Sequence, residues 1–83
     1  MSITVRFFAR VRELAGRESL TLAVRPGTTI AELRRRLVNE YPAIAPILPH
    51  CAAAIDSEFA AERTAIPDGA EVAFLPPVSG GES

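Results

Sequence analysis

Three stretches of the chain alternate apolar and polar residues, which is the period-two pattern of β-strands. Their apolar, core-facing positions are Ile3, Val5 and Phe7; Leu20, Leu22 and Val24; and Val72 and Phe74. We expect the second stretch to pair antiparallel with the first. An alanine-rich run at residues 51–55 predicts a weaker strand, and the turn residues that follow it predict a short return strand at residues 59–60.

Two segments between the strands have the apolar spacing of helices. Residues 9–15 predict a short helix that ends at Gly16, because glycine is typical of helix C-termini. A longer helix begins with a capping box, in which Thr29 is the N-cap and Glu32 reaches back to it. Its apolar face consists of Ile30, Leu33, Leu37 and Tyr41. Pro42 ends it, since proline cannot continue a helix.

The order of these elements predicts an α+β fold. The three prolines of residues 42–49 exclude a longer helix or a central strand there, and we expect Ile44, Ile47 and Leu48 to close one side of the core. The remaining pattern fits a ubiquitin-like β-grasp, a mixed sheet of four to five strands with one long helix packed across it. A ferredoxin-like fold is the alternative. It needs a second long helix within residues 56–67, which their composition does not favour.

Length, composition and net charge limit the functional classes to which the chain can belong. The chain has 83 residues, 48% of them hydrophobic and 23% charged, which indicates one small globular domain. Its nine basic residues are all arginine, and with ten acids the net charge is −1, which argues against nucleic-acid and membrane-surface binding. One cysteine and one histidine are too few for a disulfide or a zinc site. No signal peptide or membrane span is evident, so we expect a cytoplasmic protein.

Three polar or reactive features have structural interpretations. The basic run Arg34-Arg35-Arg36 is expected to form a solvated helix face, with Arg36 paired to Glu32 one turn earlier. Cys51 is expected to be a buried strand cysteine without a chemical role. His50 is expected to be a surface loop residue.

The segment after the last strand has the sequence Pro-Pro-Val-Ser-Gly-Gly at residues 76–81. We expect a folded domain at residues 1–76 and a flexible tail at residues 77–83. A frayed terminus is one interpretation of such a tail. The other is a tail that enters another protein's active site. Gly80 and Gly81 suit a narrow channel, because they carry no Cβ.

Two longer segments, VRFFARVRELAG at residues 5–16 and DGAEVAFLPPVSGG at residues 68–81, carry a family resemblance. With them the chain resembles the sulfur-carrier small subunits of molybdopterin synthase, which are β-grasp proteins. The resemblance implies that an ATP-using activating enzyme adenylates the Gly81 carboxylate, and that a sulfur donor then converts it to a thiocarboxylate. The tail would next enter the large synthase subunit, within a heterotetramer, and give its sulfur to cyclic pyranopterin monophosphate. On this basis the chain is a non-catalytic carrier and binds no cofactor or metal itself.

The resemblance also implies which residues contact partners. Phe8, Phe59 and Leu75 match an apolar patch that meets both the large subunit and the activating enzyme, and Arg12 matches a polar contact. The implied tail contacts are Pro76, Pro77, Val78, Ser79 and Gly80, beside the carrier residue Gly81. Strand parity independently directs Phe8 and Leu75 away from the core, and an exposed apolar patch is typical of a contact site.

Glu82 and Ser83 depart from the family, in which the second glycine is usually the last residue. They place the Gly81 carbonyl in an amide, which is a poor substrate for adenylation. Three explanations are open: a protease trims the two residues, the chain is a fragment of a longer fusion, or Ser83 itself is activated.

Two other functions are compatible with a Gly-Gly tail. One is sulfur delivery to thiamin, cysteine or tRNA thiolation. The other is a ubiquitin-like protein modifier, which would be found joined to lysines of other proteins. The Pro-Pro-Val-Ser-Gly-Gly run and the length of 83 residues favour molybdopterin synthesis over the shorter thiazole carriers of the thiamin pathway.

Overall fold

The strands and helices follow the predicted order in the computed structural model, which describes residues 1–77. The strands are β1 (Ser2–Phe7), β2 (Ser19–Ala23), β3 (Ala52–Ile55), β4 (Glu58–Ala60) and β5 (Glu71–Leu75). The α-helices are α1 (Ala9–Ala15) and α2 (Ile30–Glu40), and two short 3-10 turns, Pro42–Ile44 and Leu48–His50, follow α2. The predictions for residues 78–83, including both tail glycines, lie outside the described residues.

The five strands form one mixed sheet in the order β2-β1-β5-β3-β4. β1 pairs antiparallel with β2 and parallel with β5, and β3 pairs antiparallel with both β5 and β4. The buried side chains of α2 join the core-facing side chains of the strands in one hydrophobic cluster, so α2 lies across one face of the sheet. The predicted β-grasp architecture is confirmed. Residues 56–67 form no second long helix, which excludes the ferredoxin-like alternative.

The alternating pattern of β1 places its side chains as predicted. Its core-facing residues are Ile3, Val5 and Phe7, each at most 2% exposed. The register sets Val5 beside Leu20 of β2 and Val72 of β5, so apolar residues of three strands meet in one row. The intervening residues of β1 face the other side of the sheet, which we call the outer face.

The long helix begins where the capping box predicts. The Thr29 backbone N–H donates to Glu32 Oε1 at 2.9 Å, and the Glu32 backbone N–H donates to Thr29 Oγ1 at 3.2 Å. The buried residues of α2 are Ile30, Leu33 and Leu37. Tyr41, the last residue of the predicted stripe, lies just beyond the helix and is half-buried, because Pro42 already begins the next turn.

The proline-rich connection closes the core as predicted. Ile44 and Leu48 are fully buried, and Ile47 is half-buried. β3 begins at Ala52, one residue later than predicted. The reason is that Cys51 ends the second 3-10 turn, where its backbone N–H donates to the Leu48 carbonyl at 3.1 Å.

The prediction of a solvated arginine face is wrong for Arg34. Its side chain is only 13% exposed, and its guanidinium donates to the backbone carbonyls of Leu48 and Cys51. The physical reason is that the Leu48 and Cys51 carbonyls lie within reach of α2, and each carbonyl oxygen has two lone pairs, so the Leu48 carbonyl accepts from Arg34 as well as from the Cys51 N–H. The predicted pair of Glu32 with Arg36 is also wrong, because Glu32 is engaged in the capping box and Arg36 pairs with Glu40 at 3.0 Å.

Within residues 1–77, neither helix has the length and apolar content that crossing a membrane requires.

Candidate functional site

An apolar patch lies on the outer face of the sheet, at the edge where the chain leaves β5. We define it by the residues Phe8, Ala52, Phe59, Leu75 and Pro76, which line one open groove. Ala9, His50 and Pro77 complete the lining of the same groove. Phe59 is 78% exposed and Phe8 is 37% exposed, while Leu75 and Pro76 are half-buried.

The sheet register brings these residues together although they lie far apart in sequence. Ala52 is paired with Leu75, and Ala54 is paired with Phe59, so the aromatic ring shares a face with Leu75. The two alanines each project only one methyl group. The larger side chains beside them therefore stand above the sheet and remain accessible.

The sharp turn from β1 into α1 determines the position of Phe8. Phe8 is still extended, with φ −125° and ψ 154°, and it therefore continues the outward parity of β1. Ala9 has φ +51°, a left-handed conformation that is uncommon for a residue with a side chain. This bend starts the helix immediately and keeps the Phe8 ring at the border of the apolar patch.

A charged pair borders the patch on β1 and β5. Arg6 Nη1 donates to Glu71 Oε2 at 3.1 Å, and the Arg6 guanidinium carbon lies 5.5 Å from the centre of the Phe8 ring. Both side chains of the pair are nearly half exposed, at 44% and 46%, so its contribution to stability is small. The pair instead gives the patch a polar border beside Phe8.

The structure brings most of the predicted contact residues together. Phe8, Phe59, Leu75, Pro76 and Pro77 all line the groove. Their role in binding stays a prediction, as do the roles of residues 78–81, which lie outside the described range.

Arg12 does not line the groove. It lies exposed on α1, with its Nη1 4.0 Å from the Glu18 carboxylate.

Sequence reasoning missed three groove residues, Ala9, His50 and Ala52. His50 is exposed, as predicted, but the second 3-10 turn carries it to the groove. The strand register could have placed Ala52 there, since it is the partner of Leu75. No local pattern in the sequence indicates where His50 lies.

Cys51 is buried, as predicted, and its surroundings suppress thiol chemistry. It is 5% exposed, and its Sγ donates to the Ile47 carbonyl at 3.4 Å. Burial raises the pKa of the Cys51 thiol, and the Arg34 guanidinium only partly opposes this effect. The thiolate is the reactive form of cysteine, so this thiol is poorly suited to carry sulfur.

Comparisons with known proteins agree on one family. A family profile described as the ThiS family matches residues 5–81. The chain is 34% identical over 83 residues to the molybdopterin synthase sulfur carrier subunit of Chlamydomonas reinhardtii, covering 98% of this chain and 100% of that one. It is 32% identical over 81 residues to the subunit of the same name from Arabidopsis thaliana, covering 98% of this chain and 84% of that one.

Solved structures share the fold. Small archaeal modifier protein 1 from Haloferax volcanii, in a crystal structure, superimposes with a TM-score of 0.84 at 29% identity, covering 98% of this chain and 100% of that chain. A chain in the complex of subunits 1 and 2 of the molybdopterin-converting factor from Helicobacter pylori gives a TM-score of 0.72 at 28% identity, covering 98% of this chain and 100% of that chain.

Proposed function

The chain belongs to the ThiS family, and on this premise we propose that it is the sulfur carrier subunit of a molybdopterin synthase. One observation carries the proposal: two relatives with that name match 98% of the chain, at 34% and 32% identity. The family match ends at Gly81, the second glycine of the tail. The apolar patch supports the proposal, because a carrier must dock on the proteins that load and unload it.

In this function the reactive group is the Gly81 carboxylate. In the activating enzyme, a carboxylate oxygen attacks the α-phosphate of ATP, and pyrophosphate leaves. Sulfide-level sulfur (HS⁻ or its equivalent) then attacks the acyl carbon of the adenylate, AMP leaves with the electron pair of the acyl–oxygen bond, and loss of the proton on sulfur gives the thiocarboxylate. In the large subunit the thiocarboxylate sulfur attacks a carbon of the cyclic pyranopterin monophosphate and displaces an oxygen substituent from it. Water then hydrolyses the resulting thioester, which restores the Gly81 carboxylate and leaves the sulfur on the pterin. The carrier supplies no catalytic acid or base, and ATP binds to the activating enzyme.

The folded body, residues 1–76, serves to dock and aim the tail, residues 77–83. Gly81 lies six residues beyond Leu75, a stretch that spans about 20 Å when extended. A partner that covers the apolar patch therefore needs its catalytic centre about that far from the patch. Pro76 and Pro77 restrict the backbone where the tail begins, so the direction of exit follows β5.

The large synthase subunit and the activating enzyme are the proposed partners. The Helicobacter pylori structure, in which subunits 1 and 2 of the molybdopterin-converting factor form a complex, supports the large subunit as a partner and is compatible with a heterotetramer. We propose that both partners use the same apolar patch. Loading and unloading then exclude each other, and the carrier must dissociate between the two steps.

The chemistry predicts which form of the chain is active. A form ending at Gly81 should support ATP–pyrophosphate exchange by the activating enzyme, and with a sulfur donor its intact mass should show one oxygen replaced by sulfur. The form carrying Glu82 and Ser83 should show neither, which would make a trimming protease necessary. A form ending at Ser79 is the matched control for the loss of both glycines. Cofactor production by that control would refute the proposed function.

Equal activity of the forms ending at Gly81 and Ser83 would instead refute only the need for trimming. Intact mass spectrometry of protein from the native cell would show directly whether the two residues are removed.

A second function is favoured by the likeness to small archaeal modifier protein 1, with its TM-score of 0.84 at 29% identity. In that case the activated Gly81 would be transferred to lysines of other proteins, or its sulfur to another thiolation pathway. Proteomic detection of the Gly81 carbonyl in amide linkage to foreign lysines would favour this function over molybdopterin synthesis.

A further inference from the structure

Arg34 joins four segments of the chain behind the apolar patch. We infer that it is a positioning residue for docking, acting from the helix side of the sheet on a patch that it does not line. This inference rests on the proposed docking role of the apolar patch.

The guanidinium of Arg34 is almost fully engaged. Its Nη1 donates to the carbonyls of Leu48 and Cys51 at 2.7 and 2.8 Å. Its Nε donates to Glu62 Oε1 at 3.0 Å, and its Nη2 donates to the other oxygen of the same carboxylate. The guanidinium carbon also lies 5.3 Å from the centre of the Phe74 ring. One side chain of α2 therefore contacts the second 3-10 turn, the loop after β4 and the C-terminal end of β5.

Each contact partner of Arg34 lies next to, or near, a residue of the groove. Cys51 lies between His50 and Ala52, and Phe74 precedes Leu75. Glu62 belongs to the loop that follows β4, the strand that carries Phe59. These partners face the helix side of the sheet, whereas the patch faces outward. A shift of the backbone at any of them moves the adjacent patch residue.

Of the basic side chains, only arginine has enough N–H donors in the right geometry to bond the Glu62 carboxylate and both carbonyls together. A guanidinium has five N–H donors in a planar fork, and here one edge grips the Glu62 carboxylate while Nη1 reaches two carbonyls. An ammonium is a point charge with three donors, so Arg34→Lys keeps the charge but loses part of the geometry. The side chain is 13% exposed, so carbonyls left without this partner are poorly placed to gain water instead.

The test compares Arg34→Met and Arg34→Lys with Arg36→Met. Arg36 is the matched control, because it lies on the same helix but bonds Glu40 and the Ala23 carbonyl, away from the patch. Affinity for the activating enzyme and for the large subunit is measured by calorimetry, at a temperature where circular dichroism shows every variant folded. Amide chemical shifts of residues 48–62, apart from Pro49, and of Phe74 and Leu75 are compared with those of β2.

We expect Arg34→Met to weaken docking by about threefold to thirtyfold, Arg34→Lys to fall between it and the wild type, and Arg36→Met to bind normally. Amide shift changes should concentrate in residues 48–62 and in Phe74 and Leu75. Combination with Phe59→Ala should be non-additive, because both changes act on the same patch. A merely structural role would instead give additive effects.

Other outcomes of these measurements would contradict the positioning role of Arg34. Unchanged affinity of both Arg34 variants, or strict additivity with Phe59→Ala, would overturn the positioning role. If Arg34→Met does not fold, Glu62→Gln replaces it, and it should weaken docking in the same direction but less. If the wild-type chain binds neither protein, the proposed function itself fails and this inference falls with it.

Discussion

Replacement of Phe59 by alanine tests the docking patch most directly. Phe59 lies on β4, a three-residue edge strand, and it is the most exposed large apolar side chain in residues 1–77. A side chain so exposed contributes little to the core. Its loss should therefore affect binding far more than folding.

The exposed area of Phe59 sets the expected size of the loss in binding free energy and of the loss in folding free energy. An aromatic side chain has about 200 Å² of surface, so the 78% exposure of Phe59 leaves about 160 Å² for a partner to cover. At about 25 cal/mol per Å², full burial contributes at most about 4 kcal/mol. Since strong interface residues contribute about 2 kcal/mol or more, we expect a loss of about 2–4 kcal/mol, or at least thirtyfold in Kd. The surface already covered contributes only about 1 kcal/mol to folding.

Calorimetric titration of each variant into the activating enzyme, and separately into the large subunit, measures this loss. Thr21→Ala is the matched control, because Thr21 is also exposed on the outer face but lies on β2, at the opposite edge of the sheet. Urea unfolding of the same samples measures the change in the free energy of unfolding. A Phe59→Ala protein that is folded and binds both partners within about twofold of the wild type would refute the assignment of the patch.

Three further predictions concern stability and are read by urea unfolding. Leu33→Ala should lower the free energy of unfolding by about 2–5 kcal/mol, because Leu33 is fully buried and its truncation leaves a cavity under α2. A decrease of less than about 1 kcal/mol would contradict this packing. Thr29→Ala should lower the free energy of unfolding by about 1 kcal/mol, because it removes the capping box, and should leave docking unchanged; an unchanged free energy of unfolding would contradict the capping role. Because burial raises the pKa of the Cys51 thiol above its ordinary value of 9.0, the folded state keeps a proton that the unfolded chain loses. The free energy of unfolding should therefore fall as pH rises through 9.0 and beyond, and Cys51→Ala should lessen this fall; identical pH profiles would show that the thiol is not desolvated.

The periodic parts of the fold were predictable because they depend on short-range geometry. Alternation in β1 identified Ile3, Val5 and Phe7 as core residues, since side chains of a strand point to opposite faces in turn. The capping box located the start of α2 to the residue, because its two hydrogen bonds join positions only three apart. Strand parity likewise directed Phe8 and Leu75 away from the core.

The wrong and missed predictions have a common cause. They concern side chains whose positions depend on residues distant in sequence. Arg34 has the same local context as Arg35, yet it lies largely buried because carbonyls 14 and 17 residues away, at the second 3-10 turn, accept from its guanidinium. Arg36 turned to Glu40 because Glu32 was already engaged. His50 reaches the groove only through the path of its turn.

The sequence by itself determined the strands, the helices, the capping box and the presence of a Gly-Gly tail. Tertiary structure alone decided that β5 lies between β1 and β3, and with it which apolar side chains stand together where the tail begins. The physical reason is that periodicity and capping are local properties of the backbone. Burial, desolvation and hydrogen-bond satisfaction arise between segments that only folding brings into contact.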